Sequence, residues 1–239
     1  MNMIYPISEI FTSPQGEGVF TGQIQTFIRL AGCSVGKPFT KEDRKKRLLP
    51  IYVEQCTLYD GRHMECDTDY RVKDRLTVPQ ILNEIPELVE NVCITGGEPL
   101  IHDLNTLITY LWAARKKVHI ETSGTVEENL DETIWVTVSP KLNVYVSMLK
   151  RANEIKVLVD EEFDPSVPIH GIYQELLQVV TLEEIAKKKP VYLQPVNHEL
   201  EVNPDNLQRC VDWQKKYPQF RLSLQLHKVL SHFTRELVR

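Results

Sequence analysis

Short apolar runs rich in β-branched residues recur along this chain, and each is followed by polar, glycine or proline positions. The first, residues 25–30 (QTFIRL), ends at Gly32-Cys33; the others are 91–95 (NVCIT), 117–121 (KVHIE), 134–138 (IWVTV), 154–159 (EIKVLV), 190–194 (PVYLQ) and 221–224 (RLSL). Runs of this length and composition predict buried strands. Between several of them lie patterns of helical period: 78–89, where Ile81, Leu82, Ile85 and Leu88 share a face, then 104–115, 176–186 and 206–216. Alternating strands and helices predict an α/β chain with a mostly parallel sheet wrapped by helices, either an open doubly wound sheet or a partial TIM-like barrel. Function is then expected at the carboxyl ends of the strands.

One stretch interrupts the alternation. Residues 37–55 carry a charged run and prolines, and with their surroundings they predict a long insertion at about 34–65 within a single domain spanning residues 1–239. Nothing in the chain repeats, and no low-complexity linker divides it.

Composition narrows the function classes. With 239 residues, 42% of them hydrophobic and 26% charged, the chain has the means to bury a sizeable core. A net charge of −5 gives no field for gathering a polyanion, and the basic run at 41–47 is interleaved with acids, so nucleic-acid binding is not expected. The opening MNMIYPISEIF lacks the pattern of a signal peptide and no apolar run is long enough to span a membrane, which sets the expectation of a cytoplasmic protein. Five dispersed cysteines argue against a disulfide framework and suit a reducing compartment where thiolates hold a soft metal.

Three of those cysteines, Cys33, Cys56 and Cys66, precede Thr95-Gly96-Gly97-Glu98-Pro99. Three thiolates with no obvious fourth partner suggest an iron-sulfur cluster with one corner left open for a substrate, since a structural metal site closes its shell. The paired glycines after a strand allow a ligand to approach the backbone, and Glu98 can accept hydrogen bonds from an ammonium group. The competing reading of an isolated GGEP is a tight turn with a surface glutamate.

Taken in order, Ser13-Pro14-Gln15-Gly16-Glu17-Gly18, Phe27-Ile28-Arg29-Leu30-Ala31-Gly32-Cys33, Cys66-Asp67-Thr68-Asp69-Tyr70 and the GGEP segment resemble the radical S-adenosylmethionine superfamily. Within it they are similar to the 7-carboxy-7-deazaguanine synthases of queuosine and 7-deazapurine biosynthesis. Glu121-Thr122-Ser123-Gly124-Thr125, Ser139-Pro140-Lys141, Gln194-Pro195 and Gln225-Leu226-His227-Lys228 look like later motifs of that family, so the resemblance runs from Glu9 to about Leu230.

The resemblance implies that Cys33, Cys56 and Cys66 ligate a four-iron four-sulfur (4Fe-4S) cluster whose remaining iron is chelated by S-adenosylmethionine. It implies that Gly96, Gly97 and Glu98 hold the methionine amino group and that Thr122, Ser123, Ser139 and Lys141 contact the rest of that cofactor. It further implies magnesium at Thr68, with Asp67 and Asp69 as possible helpers or turn caps. The implied reaction is ring contraction of 6-carboxy-5,6,7,8-tetrahydropterin to 7-carboxy-7-deazaguanine with loss of ammonia. Arg29 suits the substrate carboxylate, and Gln15, Glu17, Gln194, His227 and Lys228 suit the pterin edge. A flavodoxin- or ferredoxin-type reductant and a homodimer are implied too.

The cysteine spacing departs from the superfamily. The last two cysteines are usually separated by two residues, and here the position three before Cys66 is His63. Either Cys56 supplies the second thiolate from farther away or His63 replaces it; iron-sulfur clusters prefer thiolate, which favours Cys56. Cys93 and Cys210 lie in apolar patterns and read as core residues, and His102, His119, His170, His198 and His232 lack metal-ligand spacing. Two alternatives stand beside the synthase: another radical S-adenosylmethionine enzyme such as a glycyl-radical-enzyme activase, and a non-catalytic metal-binding interaction protein. Residues 231–239 read as a possible amphipathic helix.

Overall fold

The computed structural model describes residues 3–36, 54–66, 68–197 and 201–231. The chain opens with β1 (Ile4–Pro14) and β2 (Ile24–Leu30), an antiparallel pair; β3 (Glu54–Thr57) and β4 (His63–Cys66) form a separate hairpin, and β5 (Asp74–Thr77) returns to pair with β1. There follow α1 (Val78–Asn83), β6 (Asn91–Gly96), α2 (Asn105–Ala113), β7 (Lys117–Thr122), β8 (Trp135–Val138), α3 (Val146–Arg151) and β9 (Glu154–Val159). A second hairpin of β10 (Ile169–Tyr173) and β11 (Leu176–Val180) precedes α4 (Leu182–Ala186), β12 (Val191–Pro195), α5 (Pro204–Lys216), β13 (Arg221–Leu222) and α6 (Leu226–Ser231).

Among the described residues the main sheet has nine strands in the order β13-β12-β9-β8-β7-β6-β2-β1-β5. From β2 to β13 every pairing is parallel, and β1 alone runs against its neighbours. The edge strands β13 and β5 do not pair, yet residues of β1, β2, β6, β7, β8, β9 and β12 line one common cavity. The sheet therefore curls around that cavity as an incomplete barrel, the partial barrel of mostly parallel strands expected from the sequence.

Alternation along the strands divides two environments. Ile28, Ile94, Ile120, Val136, Ile155 and Leu193 point outward into the main apolar core with α1, α2, α3 and α5, and each is 0% exposed. Burying a side chain of this size contributes roughly 1.5–3 kcal/mol, so this outer layer carries the fold. The intervening positions face inward and are mostly polar: Gln25, His119, Thr137, Glu154, Lys156 and Gln194 are all buried.

Element ends follow local chemistry. Thr77 donates its backbone N–H and its hydroxyl to the Gln80 side chain, and Pro79 sits in the first turn of α1. The helix stops at Asn83, short of the expected 89, because Pro86 cannot donate to it. Asn203 caps α5 by accepting from the N–H groups of Asp205 and Asn206.

The largest departure is at 176–186, expected as one helix. Residues 176–180 are instead β11, and only 182–186 are helical, behind a Thr181–Glu184 capping box. Gln174 and Glu175 form the two-residue turn between β10 and β11 with φ of 47° and 65°, so the chain makes a left-handed hairpin turn without the glycine or asparagine that usually announces one. β1, β10 and α3 were likewise not anticipated. The stretch expected as an insertion at about 34–65 overlaps the β3–β4 hairpin; residues 37–53, including the basic run, lie outside the described residues, as do Asp67, His198 and 232–239. Among the described residues no helix is long and apolar enough to cross a membrane.

Candidate active site

The cavity enclosed by the curled sheet measures about 540 Å³. Its amino-terminal end is closed by the loop after β1: Phe20 packs on His119 and Trp135 with ring centroids 5.2 and 5.1 Å apart, and Val19 donates its N–H to Glu154. This loop carries Gln15 and Glu17, so these two predicted residues enter from the end of the barrel opposite the strand tips. Gly16 O accepts from Leu226 N at 2.9 Å, which docks the loop against α6 and brings His227 and Lys228 to the cavity wall.

Glu17 is the hub of a buried polar network. Its Oε1 accepts from Gln194 Nε2 at 3.0 Å and Gln225 Nε2 at 2.9 Å, and its Oε2 pairs with Lys156. Burial alone would push the Glu17 carboxyl up, but the Lys156 ammonium and these donors hold it down to about 2. Lys156 in turn stays firmly protonated: Glu121 and Glu17 outweigh the burial that opposes its charge. Of the four acceptor positions on Glu17, the protein uses three, which leaves about one for a ligand. Gln15 donates to Glu121 Oε1 at 3.1 Å and accepts the N–H of Glu17.

Deeper in, Thr137 donates to Glu154 Oε1 at 2.7 Å, so its oxygen accepts from Nε2–H of His119 at 2.8 Å. Burial pushes His119 down to about 4, and the ring is neutral. Cys93, His119 and Glu121 place one potential ligand atom each within 4.8 Å of the others. His119 already bonds Thr137, Glu121 already accepts from Gln15, and Lys156 lies 3.9 Å from Glu121. A cation there would displace these bonds and face an ammonium, so the group reads as part of the network.

The strand tips form the mouth. Cys33, Cys56 and Cys66 all line the cavity, Cys56 buried and the other two partly so. The β3–β4 register puts two of them on one face: Cys56 pairs with Met64, and the two-residue period places Met64 and Cys66 on the same side of the strand. His63 pairs with Thr57 on the other face, is exposed, and bonds the Thr57 hydroxyl at 3.1 Å. The Cys33 sulfur accepts from the amides of Val35 and Gly36 at 3.4 and 3.3 Å. Lys141 is close enough to all three thiols to oppose the downward push that burial exerts on its ammonium, and it donates to Ser139 Oγ at 2.9 Å. Three sulfurs, amide donors and a nearby cation suit a soft metal cluster with net negative charge.

The GGEP turn is built differently from its sequence reading. A Cβ on Gly97 would lie 2.3 Å from Gly32 O and 2.5 Å from Cys33 Cβ, and one on Gly96 would lie 2.2 Å from Leu30 O. The glycines thus admit the neighbouring backbone of the Cys33 segment, while their open side lines the cavity. Glu98 is 0% exposed and does not reach the cavity. Its carboxylate accepts from Leu100 N at 3.0 Å, Thr122 Oγ1 at 2.7 Å, Ser123 N at 2.8 Å and the Ser123 hydroxyl. It braces Thr122 and Ser123, which do line the wall.

Thr68 lines the cavity beside Cys66, whereas Asp69 turns away to bind Arg71 at 2.7 Å and Lys73 at 3.2 Å. Arg29 reaches the cavity next to Thr95 in register, 5.7 Å above the Phe11 ring and 3.8 Å from Glu9. Phe11 and Phe27 stack at 4.9 Å and form an apolar wall beside it. The structure therefore gathers every predicted site residue except Glu98 around one cavity. It adds Lys156 and Asn197, which sequence reasoning did not select, and Glu121, Thr95 and Gln225, which it named within motifs without giving them a role. The signal for Lys156 was present in Glu154-Ile155-Lys156, a polar-apolar-polar alternation inside a strand that must be buried.

No family model matches the chain. It is 34% identical to 7-carboxy-7-deazaguanine synthase of Escherichia coli (strain K12), over 96% of this chain and 99% of that one. It is 30% identical to the 7-carboxy-7-deazaguanine synthase of Bacteroides thetaiotaomicron, over 95% and 98% respectively. The crystal structure of QueE from Escherichia coli superposes with a TM-score of 0.64 at 32% identity, covering 94% of this chain and 95% of that one. Identity at this level over nearly the whole length, on a shared fold, means that the chain belongs to the 7-carboxy-7-deazaguanine synthase family.

Proposed function

We propose that the chain converts 6-carboxy-5,6,7,8-tetrahydropterin to 7-carboxy-7-deazaguanine and ammonia as a radical S-adenosylmethionine- and magnesium-dependent carbon-nitrogen lyase. The observation that carries this reading is that Cys33, Cys56 and Cys66 open onto the same cavity as Arg29, Glu17, Glu121 and Lys156. A bound 4Fe-4S cluster with S-adenosylmethionine would supply one-electron chemistry that removes a substrate hydrogen.

The chain's own residues have separable tasks. Cys33, Cys56 and Cys66 hold the cluster. The open side of Gly96 and Gly97, with Thr122, Ser123, Ser139 and Lys141, receives S-adenosylmethionine. Thr68 offers a hard oxygen to magnesium. Arg29 pairs with the substrate carboxylate. Gln15, Gln194, His227, Lys228 and the spare acceptor of Glu17 read the pterin edge, and Phe11 and Phe27 exclude water beside it. Glu121, held by Gln15 and near Lys156, is placed to take or give a proton as ammonia departs.

A flavodoxin- or ferredoxin-type reductant, a homodimer and a cytoplasmic setting complete the reading and rest on the family and on the need for reduced thiols. The test is anaerobic turnover with the tetrahydropterin, S-adenosylmethionine and dithionite. Stoichiometric ammonia and deazaguanine are expected; their absence from a chain with an intact cluster would overturn the substrate assignment.

A further inference from the structure

The hairpin that delivers Cys56 and Cys66 is held at its tip, where hairpins ordinarily meet solvent. Leu58 and Tyr59 are 2% and 6% exposed, and Tyr59 belongs to the main apolar core. The turn closes through Leu58 N to Arg62 O at 2.9 Å and needs Gly61 at φ of 88°. Arg62, 8% exposed, then fastens this tip to the end of β9 and just beyond. Its Nε donates to Asp60 at 2.8 Å, its Nη2 to Leu158 O at 2.9 Å and its Nη1 to Asp160, and the guanidinium lies 5.2 Å over the Phe163 ring. A backbone tie from Leu142 N to Thr57 O at 3.0 Å connects the same hairpin to the Lys141 loop.

This arrangement answers the difficulty that the cysteine spacing raises. Residues 34–55 separate Cys33 from Cys56. A free loop of that length closes roughly 20-fold less often than a three-residue one. A hairpin already fixed on the barrel avoids most of that loss, because its cysteines stand opposite Cys33 through contacts that involve no metal.

We propose that Arg62 is the positioning residue of the cluster site, holding Cys56 and Cys66 in place on the metal-free chain. The proposal rests on the cluster reading above. Its first test uses metal-free protein: alkylation of Cys56 by iodoacetamide, followed by peptide mass spectrometry, with the fully buried Cys210 as internal control. Loss of the tie in Arg62→Met opens the hairpin locally, and Cys56 labels about 10-fold faster while Cys210 keeps its wild-type rate. After anaerobic reconstitution, the same variant releases iron to a chelator about 10-fold faster, and Arg62→Lys recovers part of both effects.

Unchanged Cys56 labelling and iron release in Arg62→Met would overturn the proposal. Should Cys210 also become labelled, the milder Asp160→Asn, which removes one tie only, decides: intermediate Cys56 labelling supports the role and wild-type labelling overturns it. A wild-type chain that takes up no iron would overturn the cluster reading and this proposal together. Stable iron uptake with an indifferent Arg62 would overturn this proposal alone.

Discussion

Lys156 links Glu17 to Glu121 across the cavity floor, one ammonium paired directly with the first carboxylate and standing 3.9 Å from the second. Its removal leaves two partly buried carboxylates in one cavity with only amide donors to steady them. Truncating one partner of a buried charge pair typically costs about 2–5 kcal/mol. Lys156→Met is therefore expected to lower kcat/KM for the tetrahydropterin on the order of 100-fold. Iron content per chain should not change, because Lys156 pairs with Glu17 and Glu121 rather than with Cys33, Cys56 or Cys66. Wild-type kcat/KM in steady-state assays would remove Lys156 from the site.

Cys56 and His63 sit on opposite faces of one hairpin, and their substitutions should separate cleanly. Cys56→Ser is expected to abolish the charge-transfer absorbance near about 400 nm of the reconstituted chain, as for thiolate-bound iron generally. His63→Ala should leave it intact. The reverse outcome would make His63 the second ligand.

Glu98 gathers donors from Leu100, Thr122 and Ser123 in a place that water does not reach. Glu98→Ala orphans two amides and two hydroxyls, and about 3 kcal/mol of unfolding free energy should be lost in urea titrations. Glu98→Gln keeps an acceptor and is expected to lose less. A Glu98→Ala chain of wild-type stability would contradict the bracing role.

Apolar periodicity carried most of the architecture. The runs at 25–30, 91–95, 117–121, 154–159 and 190–194 are strands within one residue at either end, since β-branched runs with polar stops have few other uses. The β10–β11 hairpin was not legible because its turn, Gln174-Glu175, adopts left-handed backbone with residues that do not advertise it. The motifs marked the mouth of the site, where cysteines and glycines are rare and conspicuous. The floor was hidden: Lys156 and Glu154 lie in a run dominated by Ile155, Val157, Leu158 and Val159, and their inward face becomes visible only once the sheet curls.

His119 supplies a pH signature. Burial is the main force holding the ring down to about 4, with the Glu121 charge opposing it. The native chain therefore keeps a neutral ring, while the unfolded chain takes up a proton as pH falls through the ordinary 6.5. Stability is complete above about 6.5 and declines toward about 4, by on the order of 3 kcal/mol from this residue. Glu17, held at about 2, contributes its own loss only at more acid pH, below its ordinary 4.5. Chemical denaturation at stepped pH should show the first decline in the wild type and a flatter profile in His119→Gln.

Gly97→Ala probes the contact between the GGEP turn and the Cys33 segment. The added methyl meets the Gly32 carbonyl and the Cys33 Cβ, and overpacking of this kind costs about 1–3 kcal/mol. Because the displaced atoms carry Cys33, a proposed cluster ligand, iron uptake should fall further than the thermal midpoint suggests. Calorimetry paired with iron analysis checks this, and normal iron loading would show that Cys33 tolerates the shift.

The two-residue alternation along the barrel strands has a consequence for how this molecule can change over time. Neighbours such as Ile155 and Lys156 answer to different demands, one packed in the apolar core and the other lining the cavity. Substitutions at inward positions can explore new ligands while the adjacent outward positions keep the scaffold intact. The two histories can therefore run on the same strand with little interference.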